Sequence, residues 1–262
     1  NRNNAEGLRR TMESVLTQTY RDMEYIVVDG ASTDHSVNVI KECVNQLKNE
    51  DRKLKIDWMS EPDHGVFEAM NKGIKKATGE YMLLLNSGDF LIAPDVIERV
   101  MSQCNGADIL CARCNVSDSG KVVWTSNPPE QITFGTLYTI GLAHQSTFIK
   151  RTLFDTCGLY REDFKYNSDI AFWYKAIIDH HATTHRIDVI TTDYNLDGIS
   201  SKENSEPQFL AEHAEILAPY AMFVPDYEAV KKRERENAPL YWIRKHKCLY
   251  KPLLWLYRLR NK

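Results

Sequence analysis

The sequence predicts an α/β fold, in which a mixed and mainly parallel central sheet is flanked by helices and followed by a C-terminal helical extension. Three observations predict this fold. Apolar strand-like runs alternate with amphipathic helical patterns over residues 1–106, as in a doubly wound sheet. These runs end in Gly, Asp, Asn or Ser residues, which are typical of turns. The 262 residues, 43% of them hydrophobic and 26% charged, are enough to enclose a substantial core.

Helices and strands of the first half follow one another in a regular order. Apolar residues recur at helical spacing in three segments: Leu8, Met12, Val15 and Leu16; Val37, Ile40, Val44 and Leu47; and Phe67, Met70, Ile74 and Ala77. The strands are MEYIVVDG (23–30), LKIDWMS (54–60) and YMLLL (81–85), the last of them buried on both faces. A fourth helix is expected to open at Pro94, and Asp63 in the turn EPDHG is expected to cap the third helix.

The two ends of this pattern are less regular. Residue 1 leads almost directly into a helix, whereas a parallel α/β domain normally begins with a strand, so we expect that a first strand is missing from this chain. After about residue 107 the alternation changes. ADILCARCNV (107–116) and KVVWTS (121–126) predict a strand pair around the turn SDSG, and AHQSTFIK (143–150) predicts another strand.

Composition and charge exclude several classes of protein. No run of about 18 uncharged apolar residues is present, so the sequence predicts no transmembrane helix. The six cysteines are scattered and the single C-x-x-C lacks the second pair of a zinc site, which favours reduced thiols in a cytosolic protein. The net charge is −3, but residues 239–262 carry seven Lys or Arg and no acid, so the remainder carries −10 and is a poor partner for nucleic acid.

Three aspartates are predicted at one edge of the sheet. Asp29 follows the first strand, Asp63 the second, and Asp89 the third, in NSGDF. Any one of them could be only a cap or a turn residue, but ligands of open α/β sheets bind beyond the carboxyl ends of the strands. Converging acids repel one another unless a cation lies among them. A divalent cation, held by one or two carboxylates and by substrate phosphates, meets this need, and the sequence has no glycine-rich phosphate loop.

At these residues the sequence resembles a known family. The segments are VLTQTYRDMEYIVVDGASTD (15–34), SEPDHGVFEAMNKGIKKATGEYMLLLNSGD (60–89) and HQSTFIKRTLFDTCGLYREDFKYNSDIAFWYKA (144–176). They resemble the inverting glycosyltransferases of family 2, which have the Rossmann-like GT-A fold, and are similar to those that build bacterial surface polysaccharides. The resemblance covers residues 1 to about 202. It implies a GT-A domain of residues 1–205, with a nucleotide-sugar-binding half (1–106) and an acceptor half (107–205), and a helical basic extension (206–262).

The resemblance implies roles for residues on the donor side. Asp29 matches the acid that binds the uracil of a UDP-sugar, and Asp63 matches a position near the base and the ribose. NSGD matches the family's metal motif, in which Asp89 is the aligned ligand of Mn²⁺ or Mg²⁺. Asn86 and Gly88 stand where many members have acids, and they are expected to contact the nucleotide-sugar.

Three further features accompany these roles. Asp34 is expected to cap the helix behind the first strand rather than to bind the donor. Met70 occupies a place where some members of the family use an arginine on the nucleotide. DGISS (197–201) resembles a segment that closes over the donor.

Asp169, in YNSDIAFW, matches the family's catalytic base. An acceptor hydroxyl is a poor nucleophile until a carboxylate within hydrogen-bonding distance takes its proton. Glu162 and Asp163 are alternative bases, and Asp169 could instead be only the cap of the helix that follows. His144 and Gln145 match a pair that lines the acceptor side, although a buried histidine is as often structural.

The resemblance therefore implies a metal-dependent inverting glycosyltransferase. It would move a sugar from a nucleotide donor, UDP by the match of Asp29, to a glycan or lipid-linked acceptor in polysaccharide or lipopolysaccharide biosynthesis. The alternative is a non-catalytic nucleotide-sugar-binding module on the same fold, which the thinned NSGD motif favours. A nucleotidyltransferase is disfavoured because no G-x-G-T-R-like loop lies near the start. We expect a cytoplasmic protein whose basic, aromatic residues 239–262 contact the inner face of the membrane, or else pack on the enzyme or in a homodimer.

Overall fold

The computed structural model describes residues 1–48, 54–118, 120–196, 207–246 and 251–252, and these ranges contain eight strands and nine α-helices. The chain begins with α1 (Ala5–Leu16), β1 (Glu24–Asp29), α2 (Ser36–Lys48), β2 (Lys55–Ser60) and α3 (Val66–Lys76). β1 and β2 pair in parallel, with Glu24 beside Lys55 and Asp29 beside Ser60, so both strands end at the same edge. The predicted alternation of helices and strands is confirmed for this part of the chain.

A hydrophobic core is built from α1, α2, β1 and the residue before β2. Its buried residues are Leu8, Met12, Leu16, Val27, Val39, Ile40, Cys43 and Leu54. The stripe predicted for α1 is confirmed, whereas α2 buries Val39 and Cys43 and leaves Val37 and Val44 partly exposed. The α2 stripe is rotated because a free cysteine packs as a small apolar residue, which the apolar spacing did not count.

The start of α3 differs from the prediction that Asp63 caps it. The N-cap is Gly65, which makes no side-chain hydrogen bond, and Glu68 in the first turn accepts a hydrogen bond from the backbone N–H of His64 at 2.9 Å. The predicted cap is therefore wrong. The Asp63 side chain is instead directed at Gly30, at the end of β1, and Glu68 takes over the capping function at this end of the helix.

The predicted strand YMLLL is shorter than expected. Only β3 (Tyr81–Met82) forms a ladder, and it pairs antiparallel with β7 (Thr147–Lys150). Burial on both faces is wrong for this run, because Met82 is buried whereas residues 83–85 are only partly buried. Periodicity does not distinguish a paired strand from another extended apolar run. β4 (Phe90–Leu91) then pairs antiparallel with β8 (Thr184–Asn195).

The other strands form a separate six-stranded mixed sheet in the order β3-β7-β5-β8-β4, with β6 (Lys121–Thr125) paired to β5 (Ile109–Asp118). The predicted strand pair is confirmed as the β5–β6 hairpin, and β7 begins after a 3₁₀ turn at His144–Ser146. Among the residues described, only the pairs β1–β2 and β5–β8 are parallel, so parallel pairing is less extensive than predicted. A hairpin such as β5–β6 joins antiparallel strands, whereas parallel neighbours need a long crossover.

Four short helices lie between β4 and β8 in the chain: α4 (Val96–Met101), α5 (Phe134–Thr139), α6 (Thr152–Cys157) and α7 (Ser168–Trp173). α4 begins two residues after Pro94 and ends before Cys104, so it is shorter than the predicted helix. α7 continues as a π-helical segment, Tyr174–Asp179.

Aromatic contacts anchor α7. The ring of Phe172 stacks on Phe154 with a centroid separation of 4.6 Å and meets Tyr160 edge-on at 5.4 Å. Trp173, at the end of the helix, is completely buried. α7 is therefore fixed along its apolar face, and the position of Asp169 near its start depends on how the helix begins.

The C-terminal part is helical, as predicted, with α8 (Pro207–Leu217), a 3₁₀ turn and α9 (Val224–Lys245). The chain divides into two compact units, Asn1–Ile216 and Leu217–Lys262. The predicted boundary at residue 205 and the segment 197–201 lie outside the described residues. Within the ranges that the structure describes, no helix is long and apolar enough to cross a membrane.

Candidate active site

The first residues of the chain hold the two predicted donor-side acids in place. The side-chain amide of Asn1 donates from Nδ2 to Asp29 Oδ1 at 2.7 Å, and the guanidinium of Arg2 lies 3.7 Å from Asp63 Oδ1. A Cβ atom on Gly30 would lie 2.2 Å from Asp63 Oδ2, so the absence of a side chain at Gly30 lets Asp63 approach the end of β1. Asp29 and Asp63 therefore share one edge, as the strand order predicts.

Asp29 is saturated by hydrogen-bond donors of the protein. It is 0% exposed, and besides Asn1 its carboxylate accepts from the Ser32 backbone N–H at 2.9 Å, the Ser32 hydroxyl at 2.6 Å and the Ser60 hydroxyl at 2.7 Å. Burial by itself raises the pKa of Asp29, but these hydrogen bonds outweigh burial and hold the pKa below its ordinary value. A nucleobase could bind this ionised carboxylate only by replacing one of its present donors.

The NSGD loop is attached to α1. Asn4 Nδ2 donates to the backbone oxygen of Ser87 at 3.0 Å, and the Thr11 hydroxyl accepts from the Gly88 N–H at 3.0 Å and donates to the Asp89 backbone oxygen at 2.7 Å. Gly88 has φ +110°, a backbone conformation that residues other than glycine rarely adopt. Gly88 therefore has a conformational reason to be glycine, whether or not it contacts a ligand.

Asp34 has the capping role that the sequence predicts. Its Oδ1 accepts from the N–H of Ser36, the first residue of α2, at 2.9 Å. Its other oxygen accepts from the N–H of Ala5, the first residue of α1, at 3.0 Å. The predicted cap is confirmed, and the same carboxylate also satisfies a donor at the start of a second helix.

Asp89 is almost completely buried, with 5% exposure. Burial raises the pKa of Asp89 to about 6, and the negative charge of Asp193 on β8 acts in the same direction. The charge of His144 and hydrogen bonds from the backbone of Asn195 and Asn86 act to lower the pKa, but burial dominates. Asp89 is thus a buried carboxylate whose charge the surrounding protein compensates only in part.

His144 lies between the metal motif and the predicted base. Its Nε2 is 3.2 Å from Asn86 Nδ2, and its Nδ1 is 3.2 Å from Asp169 Oδ2. A neutral ring with its proton on Nδ1 donates to Asp169 and accepts from Asn86, so one tautomer satisfies both contacts. Burial lowers the pKa of His144, but Asp169 and the charge of Asp89 together raise it above 6.5. The sequence left open whether His144 is structural, and the structure brings it into this cluster.

Asp169 is the second residue of α7. Its Oδ2 faces His144 as described, and its Oδ1 accepts from the N–H of Ile170 at 2.9 Å. The N-cap of α7 is Asn167 rather than Asp169, so the alternative role of Asp169 as a helix cap is wrong. The other candidate bases are engaged elsewhere in the fold: Glu162 accepts from Asn71 Nδ2 at 2.9 Å, and Asp163 accepts from Arg161 Nε at 3.1 Å.

The surroundings of Asp89 fit a divalent cation that binds together with a substrate. Within the described ranges, no group of three or more His, Cys, Asp or Glu side chains could hold a metal ion by itself. Mg²⁺ and Mn²⁺ sites of the diphosphate-binding kind need only one or two carboxylates, because phosphate oxygens supply the other ligands. A buried carboxylate with a raised pKa is the group that a cation would stabilise most.

Comparison with known proteins assigns this chain to a family. The profile of glycosyl transferase family 2 matches residues 1–166, which is more than half of the chain. An uncharacterized glycosyltransferase of Mycobacterium tuberculosis is 27% identical over 212 residues, which cover 79% of this chain and 77% of that protein. A PGL/p-HBAD biosynthesis glycosyltransferase of Mycobacterium bovis is 27% identical over 216 residues, which cover 79% of both.

Solved structures show the same fold at low sequence identity. The crystal structure of S. aureus TarS in complex with UDP matches with a TM-score of 0.57 and 19% identity, over 73% of this chain and only 57% of that chain. The mannosyltransferase PcManGT from Pyrobaculum calidifontis, in complex with GDP-Man and Mn²⁺, matches with a TM-score of 0.59 and 15% identity, over 96% of this chain and 79% of that chain. The predicted GT-A fold is confirmed, and the chain is a glycosyltransferase that belongs to glycosyl transferase family 2.

Proposed function

We propose that this glycosyltransferase is metal-dependent and inverting, and that it moves a sugar from a nucleotide donor to an acceptor hydroxyl. One connection carries this proposal: the hydrogen-bonded path from Asn86 through His144 to Asp169, which joins the loop of the metal motif to the candidate base. Transfer requires the base to take the proton of the acceptor hydroxyl while the oxygen of that hydroxyl attacks the anomeric carbon of the donor, so base and donor must lie close together. A direct side-chain path between the two groups supports their cooperation in one site.

Asp169 is proposed as the base that takes the proton of the acceptor hydroxyl. Its Oδ2 lies 3.2 Å from His144 Nδ1, so the imidazole restrains the carboxylate from turning away. A base at this position contributes about 10²–10⁴-fold to such a step. In-line attack by the activated hydroxyl inverts the anomeric centre, so an α-linked donor gives a β-linked product.

UDP is the nucleotide that we propose for the donor, with Asp29 and Asp63 on the nucleotide side and Asn86 and Gly88 toward the sugar and the diphosphate. The structures of TarS with UDP and of PcManGT with GDP-Man make both pyrimidine and purine donors candidates for this fold. The match of Asp29 to the uracil-binding acid favours UDP. The acceptor is proposed to be a glycan or a lipid-linked saccharide, in keeping with the biosynthetic name of the M. bovis relative.

Asp89 is proposed to hold Mn²⁺ or Mg²⁺ with one carboxylate, while the donor diphosphate supplies further oxygens. When bound, the cation would neutralise the charge that develops on the leaving diphosphate. The raised pKa of Asp89 and the nearby charge of Asp193 support a cation at this place. Asn86 is engaged with His144, so we do not assign it to the metal.

Release of the nucleoside diphosphate tests the donor class. Purified protein would be incubated with UDP-, GDP-, CDP- and dTDP-sugars, each with Mn²⁺ and with a chelator, and the released diphosphate measured. We expect release from UDP-sugars that requires the cation. Release from GDP-sugars alone would contradict the UDP assignment.

The alternative that the sequence left open is a non-catalytic nucleotide-sugar-binding module, and the match to a family of glycosyltransferases over residues 1–166 disfavours it. Binding of a nucleotide-sugar without hydrolysis or transfer to any tested saccharide would support this candidate, whereas turnover would reject it.

The domain halves and the tail are proposals as well. Residues 1–106 are proposed to bind the donor and residues 107–205 the acceptor, while residues 239–262 are proposed to contact an anionic membrane surface through their seven positive charges. Sedimentation with anionic vesicles compares the full chain with one that ends at residue 238. Equal binding of the two chains would reject the membrane contact and favour packing or a homodimer.

A further inference from the structure

Glu212, on α8, is a buried acid with 6% exposure that has no part in the reaction proposed above. Its carboxylate accepts hydrogen bonds from three consecutive backbone N–H groups. Oε1 accepts from Lys165 at 2.7 Å, and Oε2 accepts from Tyr166 and from Asn167, each at 3.0 Å. Successive backbone N–H groups directed at one point form an anion-binding concavity, and here the anion is a side chain of the same protein.

Further contacts tie the same loop, residues 165–167, to α8. The side-chain Nδ2 of Asn167 donates to the backbone oxygen of Phe209 at 3.0 Å and to Glu212 Oε2 at 3.3 Å. The rings of Tyr166 and Phe209 have a centroid separation of 6.2 Å. Gln208 Nε2 donates to Glu212 Oε1 at 3.2 Å, which holds the carboxylate from its own helix. Glu212 is therefore the central acceptor of a contact between α8 and the loop.

This loop determines where α7 begins. Asn167 is the N-cap of α7, and its backbone oxygen accepts from the N–H of Ala171 at 2.9 Å in the first helical turn. Asp169 follows Asn167 by two residues, so a change in the direction of the loop changes the direction of the Asp169 side chain. The contact of Asp169 with His144, at 3.2 Å, depends on that direction.

We propose that Glu212 is a positioning residue for the transfer step, which holds the start of α7 so that Asp169 stays against His144. This inference rests on the proposed role of Asp169 as the base. α8 and Asp169 both lie beyond residues 1–166, which the family profile matches. The carboxylate acts through three backbone groups rather than on the substrate.

Two substitutions and a matched control test the role. Glu212→Ala removes the acceptor, and Glu212→Gln keeps one oxygen acceptor but directs an NH₂ group at a backbone donor. Glu215→Gln is the control, because Glu215 lies on the same helix, is exposed and pairs with Arg161. We expect Glu212→Ala to reduce kcat on the order of 100-fold with unchanged donor affinity, since a misplaced catalytic group has an effect of this size. Glu212→Gln should be intermediate, and Glu215→Gln should match the wild type.

Two readouts do not require turnover. Amide hydrogen exchange of residues 165–167 should accelerate in Glu212→Ala, and the ring NMR resonances of His144 should shift as Asp169 moves away. Protected amides in the variant, unshifted His144 resonances or an unchanged kcat would each overturn the positioning role. If thermal melting shows that Glu212→Ala does not fold, the same three measurements on Glu212→Gln test the proposal instead. A wild-type protein without turnover would reject the proposed function, while exchange and NMR would still decide whether Glu212 holds the loop and Asp169.

Discussion

Asp29 at the end of β1 and Asp89 before β4 are both hidden from solvent, yet the protein surrounds them in opposite ways. The carboxylate of Asp29 accepts hydrogen bonds from Asn1, Ser32 and Ser60, and its pKa is lowered despite burial. Burial raises the pKa of Asp89 to about 6, because the charge of His144 and the backbone donors do not compensate it. The protein thus compensates the charge of one buried aspartate with hydrogen bonds and leaves the charge of the other only partly compensated.

The difference predicts which of the two acids binds a cation. A carboxylate such as Asp29, whose oxygens all accept hydrogen bonds from the protein, stabilises the end of its strand whether or not a substrate is present. A buried carboxylate with a raised pKa is destabilising until a cation joins it, and such groups concentrate at functional sites. His144 and Asp169 are coupled to Asp89, since Asp169 and Asp89 raise the pKa of His144. We therefore expect a substitution of Asp29 to have different consequences from substitutions of Asp89, His144 or Asp169.

The largest effect is expected for Asp169→Asn. The amide keeps the size of the side chain but cannot accept the proton of the acceptor, so kcat should fall about 10²–10⁴-fold. Steady-state transfer and calorimetric binding of the donor would be measured together. The control is Asp163→Asn, an exposed acid paired with Arg161, which should retain activity. Retained activity in Asp169→Asn would remove Asp169 from the chemistry.

Asp89→Asn is expected to stabilise the metal-free protein. The rise of the pKa from 3.8 to about 6 corresponds to a penalty of ~3 kcal/mol at most, and this penalty develops as the pH rises from 3.8 through 6. The variant lacks the ionisation, so its free energy of unfolding should exceed that of the wild type at pH 7.5 and match it near pH 4. Urea unfolding at both pH values, in a chelator, measures the difference. A less stable variant at pH 7.5 would show that Asp89 is compensated.

Asp29→Asn is expected to have the opposite sign and a smaller size. An NH₂ group would face donors that now have an acceptor, which lowers the free energy of unfolding by about 1–3 kcal/mol. The folded pKa of Asp29 is below 3.8, so the advantage of the wild type is present above pH 3.8 and is lost as the pH falls through the folded pKa. The same urea experiment serves here. Equal signs for the Asp29 and Asp89 variants would refute the contrast between the two acids.

The smallest effect concerns the titration of His144. Its pKa lies above 6.5 mainly through Asp169, so stability from the protonated ring is complete below pH 6.5 and is lost as the pH rises through the folded pKa. NMR titration of the ring should give a lower pKa in Asp169→Asn, where burial is no longer offset by that carboxylate. An unchanged pKa would mean that the contact between His144 and Asp169 is absent in solution.

Local patterns in the sequence correctly predicted those parts of the fold that depend on neighbouring residues. The buried stripe of α1 follows from apolar spacing, and the Asp34 cap follows from short-range hydrogen bonding. The parallel pair β1–β2 follows from the alternation of strands with helices. The Asp63 cap failed because a contact with Gly30, which is distant in sequence, decided the side-chain direction. The strand predicted for YMLLL is too long because the number of paired residues depends on the partner strand β7, which pairs with only Tyr81 and Met82 of this run.

The candidate site divides in the same way. Asp29 and Asp63 were predicted from strand order, because the parallel strands β1 and β2 bring their carboxyl ends to one edge. Asp89 does not follow a strand of that sheet as predicted, because it directly precedes β4, which belongs to the other sheet. The place of His144 between Asn86 and Asp169 could not be derived, because it joins segments that are far apart in the chain. The pair HQ was the available signal for His144, and Glu212 had no local signal, since its partners are three backbone N–H groups.

Thermal denaturation with UDP, with and without Mn²⁺, tests most directly whether Asp89 binds a cation together with the donor. At about 100 times Kd a ligand adds ~2.7 kcal/mol, which raises the Tm of a chain of this size on the order of 5–10 °C. We predict that UDP with Mn²⁺ raises the Tm of the wild type, that UDP in a chelator does so much less, and that Asp89→Asn abolishes the difference. An equal increase in the variant, or no dependence on Mn²⁺ in the wild type, would contradict the assignment of Asp89 as the metal ligand.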